Sequence, residues 1–122
     1  MKLFIMVLNK VDKLDELMTE FATHGICGAT ILDSQGMARE LYGSYHGEEE
    51  IPFLGSIRAM LNNKSRKTNK TILTVLRDDQ VDTIFECVDK IVGDLSDPDS
   101  GIMFTMPIDT VRGKGLNKHK EN

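Results

Sequence analysis

Leu3 to Leu32, LFIMVLNKVDKLDELMTEFATHGICGATIL, decides the fold. Leu3–Leu8 is an unbroken apolar run, the pattern of a strand central in its sheet and covered on at least one face. Asp12 is expected to cap a helix, with Asp15 and Glu16 in the first turn favouring the helix dipole. Leu14, Leu17, Met18, Phe21 and Ala22 then recur at helical spacing and form one apolar stripe. His24 stands in the last turn, where it reads as helix-end chemistry rather than as a metal ligand. Gly25 suits the C′ position, and Ile26–Leu32 reads as a second strand.

The same unit returns after Lys70. Thr71–Leu76 is a strand. Asp78 or Asp79 is expected to cap a helix whose inner stripe is Val81, Ile84, Phe85, Val88, Ile91 or Val92, and Leu95. Pro98 and Gly101 mark a turn, and Ile102–Met106 is a last strand stopped by Pro107. Two such units with right-handed crossovers predict an α+β, ferredoxin-like βαββαβ domain: a four-stranded antiparallel sheet with both helices on one face. The strands are apolar at nearly every position, so both sheet faces call for burial, yet two helices cover only one. The uncovered face predicts a homo-oligomer in which sheets pack together.

Residues 35–69 separate the two units, far more than the ~4–6 residues of a median connection, and long insertions of this kind are usually functional. Tyr42-Gly43-Ser44-Tyr45-His46-Gly47 is a flexible aromatic stretch, followed by the acidic run Glu48–Glu50. Pro52–Leu61 reads as a short helix. Arg58, Lys64, Arg66, Lys67 and Lys70 follow with no acid among them. They read either as a solvated loop or as a surface for an anionic partner. In the tail, 108–122, Arg112-Gly113-Lys114-Gly115 offers two cations on a backbone free to bend. That suits a phosphate, though a plain basic tail would look the same.

At 122 residues the chain reads as one domain with a sizeable core. A net charge of −4 argues against a nucleic-acid binder. No apolar run is long enough to insert in a membrane, and the apolar start is too short for a signal peptide; a cytoplasmic protein is expected. Cys27 and Cys87 form no CxxC and read as small buried hydrophobes. His24, His46 and His119 stand apart in sequence, with no metal-ligand spacing and no nucleophile pairing. No enzyme activity, catalytic residue, metal site or required cofactor is expected.

Four stretches resemble the PII nitrogen-regulatory signal-transduction family: Val11–Leu17 its first helix start, Gly25–Thr30 its Gly-hydrophobic-x-Gly-x-Thr segment, Leu76–Asp82 its turn into the second helix, and Gly101–Phe104 with Pro107, Val111 and Arg112 its last strand and tail. The resemblance covers the scaffold and skips much of the middle. It implies a homotrimer with inward-facing sheets and adenine nucleotides (ATP, ADP or AMP) held in clefts between subunits. It also implies a long loop, the family's T-loop, that docks on a regulated transporter or enzyme; 35–69 stands in its place. By the resemblance Gly28 and Thr30 line the cleft, Gly36 stands at the loop base, Gly101 ends the phosphate-binding loop, and Arg112 and Lys114 meet phosphates. Tyr42, Tyr45, Arg58, Lys64, Arg66 and Lys67 would lie on the partner loop, with Tyr42 or Tyr45 a candidate for modification.

The chain also departs from the family. The phosphate loop reads Leu95-Ser96-Asp97-Pro98-Asp99-Ser100-Gly101-Ile102, with two glycines and the lysine gone and two aspartates added. The loop base lacks the family's glutamine, which Mg-ATP and 2-oxoglutarate sites of the usual design require. A PII-like regulator sensing a small anionic effector is therefore expected. Two alternatives are a ligand-independent interaction module and a metal-handling trimer of the divalent-cation tolerance type.

Overall fold

The computed structural model describes residues 1–37, 68–97 and 99–113. Its elements follow in the order β1 (Lys2–Leu8), α1 (Leu14–Thr23), β2 (Ala29–Ser34), β3 (Asn69–Leu76), α2 (Val81–Ile91) and β4 (Gly101–Pro107). All strand pairs are antiparallel and the sheet order is β2-β3-β1-β4, so each unit's first strand is central and its last is an edge. This α+β arrangement of four strands and two helices is compatible with the ferredoxin-like expectation. No helix among the described residues is long and apolar enough to cross a membrane.

Alternation along β1 and β3 sets the core. Phe4, Met6, Leu8, Ile72 and Leu76 point to the helices and are buried against Leu17, Phe21, Ile84 and Val88. Phe4 meets Phe21 edge-on at 6.3 Å between ring centroids. The residues between them, Leu3, Ile5, Val7, Leu73 and Val75, take the other face. The register sets Ile5 between Leu73 and Phe104, Val7 beside Ile102 and Leu3 beside Met106. On β4 these apolar side chains are open: Ile102 is 57% exposed, Phe104 41% and Met106 43%. The second sheet face is thus apolar, as the strand composition implied, with its centre partly covered and its β4 edge exposed.

Several local details differ from the sequence reading. A 3-10 turn, Val11–Lys13, precedes α1, and the helix start carries no side-chain cap from Asp12. A second 3-10 turn, Asp78–Gln80, precedes α2. There the Gln80 carboxamide oxygen accepts from the Arg77 backbone N–H at 2.9 Å, and Asp78 instead pairs with the Met1 ammonium at 3.0 Å. Ala22 is exposed, because the stripe it was read into narrows to Leu17 and Phe21 with Leu14 and Met18 at its margin.

The second strand starts three residues late for a specific reason. Gly25, at φ +82, donates to the Ala22 carbonyl, and Ile26 reaches back to the Phe21 carbonyl at 2.9 Å. That is the paired bonding of a Schellman cap, and it folds Ile26 onto the core beside Phe21. Cys27, just beyond, is exposed rather than buried, whereas Cys87 is buried as expected.

Candidate functional site

Of the residues nominated for an anion cleft, Gly36 and Gly101 lie at one end of the sheet and Gly28 at the other. Gly36 follows the end of β2, with Asn69 at the start of β3 beside it. Gly101 opens β4 opposite Leu8. A line of polar contacts joins this end of the sheet. The Ser34 hydroxyl lies 2.5 Å from Asn69 Oδ1 and 2.7 Å from Thr71 Oγ1. Asn69 Nδ2 donates to Asn9 Oδ1 at 3.2 Å, and the Asn9 backbone N–H donates to the Ser100 carbonyl at 3.0 Å. Gly101 must be glycine: its φ is +135, and a Cβ there would stand 2.0 Å from the Val7 carbonyl oxygen.

At the other end Gly28 precedes β2, its carbonyl accepting from Thr74 Oγ1 at 2.8 Å. Thr30 pairs with Leu73, and its side chain lies on the exposed apolar face. Arg112 lies past the end of β4 and is exposed. Between Gly28 and Gly101 lie three strand spacings and most of the length of β1, on the order of 20 Å at ~4.8 Å per strand and ~3.3 Å per residue. One protomer therefore does not assemble these residues around one small ligand. Lys114 and the loop positions Tyr42, Tyr45, Arg58, Lys64, Arg66 and Lys67 lie outside the described residues, as does the Pro52–Leu61 helix.

The segment before Gly101 folds onto itself. Asp94 accepts from the Ser96 N–H at 2.9 Å and from the Ser96 hydroxyl at 2.8 Å. Those two bonds, the backbone one first, hold its carboxyl below the usual carboxylate range. Asp97 accepts from the Asp99 N–H at 3.0 Å, and its carbonyl takes the Ser100 N–H. The fully buried Ser100 hydroxyl donates to the Asp94 carbonyl at 3.2 Å. A phosphate cradle works by presenting free backbone N–H groups to the anion. Here the N–H groups of Ser96, Asp99 and Ser100 are already committed, two of them to carboxylates.

A second constellation joins residues that stand far apart in the sequence. Glu20 of α1 and His24, the C-cap residue of the same helix, meet Cys87 of α2. His24 Nδ1 lies 3.6 Å from Cys87 Sγ and 3.6 Å from Glu20 Oε2. Lys90 Nζ holds Glu20 Oε2 at 3.2 Å. His24 Nδ1 also lies 3.0 Å from the Glu20 carbonyl, a contact in which the N–H donates in the Nδ1-protonated tautomer. Burial pushes the Cys87 thiol above its ordinary pKa, and the Glu20 and Glu86 carboxylates add to the effect. The reading of the histidines as isolated thus fails for His24. The i, i+4 spacing of Glu20 and His24 was a usable signal, but the register of α1 on α2 that supplies Cys87 was not.

Compared with known proteins, the chain matches no family model and no curated sequence.

Proposed function

We propose that this protein is a PII-like regulator that takes a small anionic effector at the boundary between subunits, and that the effector governs a partner through the segment 35–69. The observation that carries the reading is the division of the nominated residues. Gly36 and Gly101 stand at one end of the sheet and Gly28 at the other, with Thr30 midway between them and Arg112 beyond the end of β4, and the sheet presents an apolar face whose β4 side chains are exposed. Packing that face against copies of itself would bury Ile102, Phe104 and Met106, and it gives the two ends their one route to a shared cleft. An adenine nucleotide is the effector the resemblance implies. Arg112 supplies a charge-assisted contact to its phosphates. Binding would shift the loop between conformations that meet or release the partner, a transporter or an enzyme.

The carboxylate-capped segment Asp94–Ser100 favours a second reading, a docking module of the same assembly with no effector. Thermal melting with ATP, ADP, AMP and 2-oxoglutarate, run beside Arg112→Ala, separates the two. A ligand at a hundredfold excess over its dissociation constant stabilises the native state by ~2.7 kcal/mol. A nucleotide-dependent rise that Arg112→Ala removes is expected. No rise with any compound leaves the docking module as the function.

A further inference from the structure

We propose that Glu20, His24 and Cys87 form a binding site for a divalent transition-metal ion of the zinc type, on the helical layer and away from the sheet face. The three side chains offer the nitrogen, sulfur and oxygen donors that such ions prefer. Their separations fit. At bond lengths of ~2.0–2.1 Å to nitrogen or oxygen and ~2.3 Å to sulfur, tetrahedral ligands lie about 3.3–3.6 Å apart. His24 Nδ1 is 3.6 Å from both of its neighbours, and the three donor atoms all lie within 4.8 Å of one another. The remaining edge, thiol to carboxylate, is no longer than 4.8 Å.

The surroundings suit a three-ligand site with an open fourth position. Cys87 is buried, Glu20's side chain is 14% exposed and His24's is 44% exposed, so the cluster is enclosed on the protein side and reached by water over the imidazole. The two helices fix the donors. Glu20 lies in the last turn of α1, His24 is the residue that caps that helix, and Cys87 sits in the middle of α2 with Val88 and Ile84 locked in the core. Binding requires simple changes. The Cys87 thiol loses its proton to solvent as the metal–sulfur bond forms. Nδ1 exchanges its contact with the Glu20 carbonyl for the metal, leaving the imidazole proton on Nε2. Glu20 gives up Lys90, whose ammonium is exposed and returns to water. The metal then balances a carboxylate and a thiolate that would otherwise repel at short range. This site does not depend on the effector reading above, since it uses none of the cleft residues.

Cobalt(II) added to the full-length, reduced, metal-free protein tests the site. One equivalent per chain is expected to produce a thiolate-to-cobalt charge-transfer absorption that zinc then displaces. Cys87→Ser should abolish the band. His24→Ala, at a side chain that lies outside the buried core, should weaken cobalt affinity about tenfold or more. Cys27→Ser and the pair His46→Ala, His119→Ala should leave the band intact. Absence of the band in the wild-type protein overturns the proposal, as does its survival in His24→Ala at unchanged affinity or its loss in Cys27→Ser. Should Cys87→Ser fail to fold, the His24 and Cys27 variants decide the matter.

Discussion

The two faces of this sheet are built from the same kinds of residue and meet opposite fates. Along β1, Phe4, Met6 and Leu8 are wholly buried, while Leu3, Ile5 and Val7 between them are only partly covered. On β4 the contrast is sharper, with Met103 packed toward the helices and Ile102 and Phe104 open. What differs is not the hydrophobicity of the side chain but what lies above it. Helices α1 and α2 cover one face, and the other is apolar without a cover among the described residues. A sequence that makes both faces apolar calls for two burials, and the described residues supply one of them.

The contrast can be broken most sharply from its buried side. Phe4→Ala removes a fully buried ring that touches both Phe21 and Phe85, and should cost about 3–5 kcal/mol in urea unfolding. Gly101→Ala comes next. The new Cβ meets the Val7 carbonyl and the backbone sits at positive φ, so a loss of at least about 2 kcal/mol is expected by the same measurement. If Gly101→Ala were neutral, the close approach of β4 to β1 described above would be wrong.

On the exposed face the expected effect moves from folding to association. Phe104→Asp should leave the helical circular dichroism intact yet shift the protein to a monomer in light scattering. An unchanged mass would mean that face is not where copies meet. The smallest effect concerns acid. Asp94 has its pKa lowered by the Ser96 bonds, so its contribution is present above the unfolded-state value of ~3.9 and fades as pH falls through the lower folded value. The unfolding midpoint of wild type should therefore converge on that of Asp94→Asn below about pH 4. A gap that persisted in acid would show that Asp94 acts through something other than its charge.

Much of the fold was legible because hydrophobic period and turn residues are local signals. The runs at Leu3–Leu8 and Thr71–Leu76, the stripe through Leu17 and Phe21, and Gly25 at the end of α1 all stand where their chemistry places them. The helix starts were less legible. Asp12 and Asp78 have the right type for caps, but each falls in a 3-10 turn, and Asp78 has a stronger partner in the Met1 ammonium, which no local rule sees. Cys27 departs from its expected burial for a similar reason. Ile26 takes the buried place after the Schellman turn and leaves the next residue outside.

The sequence by itself determined two strand–helix–strand units, the long segment between them, and strands apolar on both sides. Those follow from the order of side chains along a backbone with two regular periods. The tertiary structure alone decided which face the helices take, that Gly36 and Gly101 share one end of the sheet while Gly28 lies at the other, and that the N–H groups of Ser96, Asp99 and Ser100 are spent on two carboxylates and a carbonyl of their own segment. It alone brought Cys87 to His24 across 63 residues of chain. Such meetings depend on strand register and on how α1 sits against α2, and these are set by packing many side chains at once rather than by any one stretch of sequence.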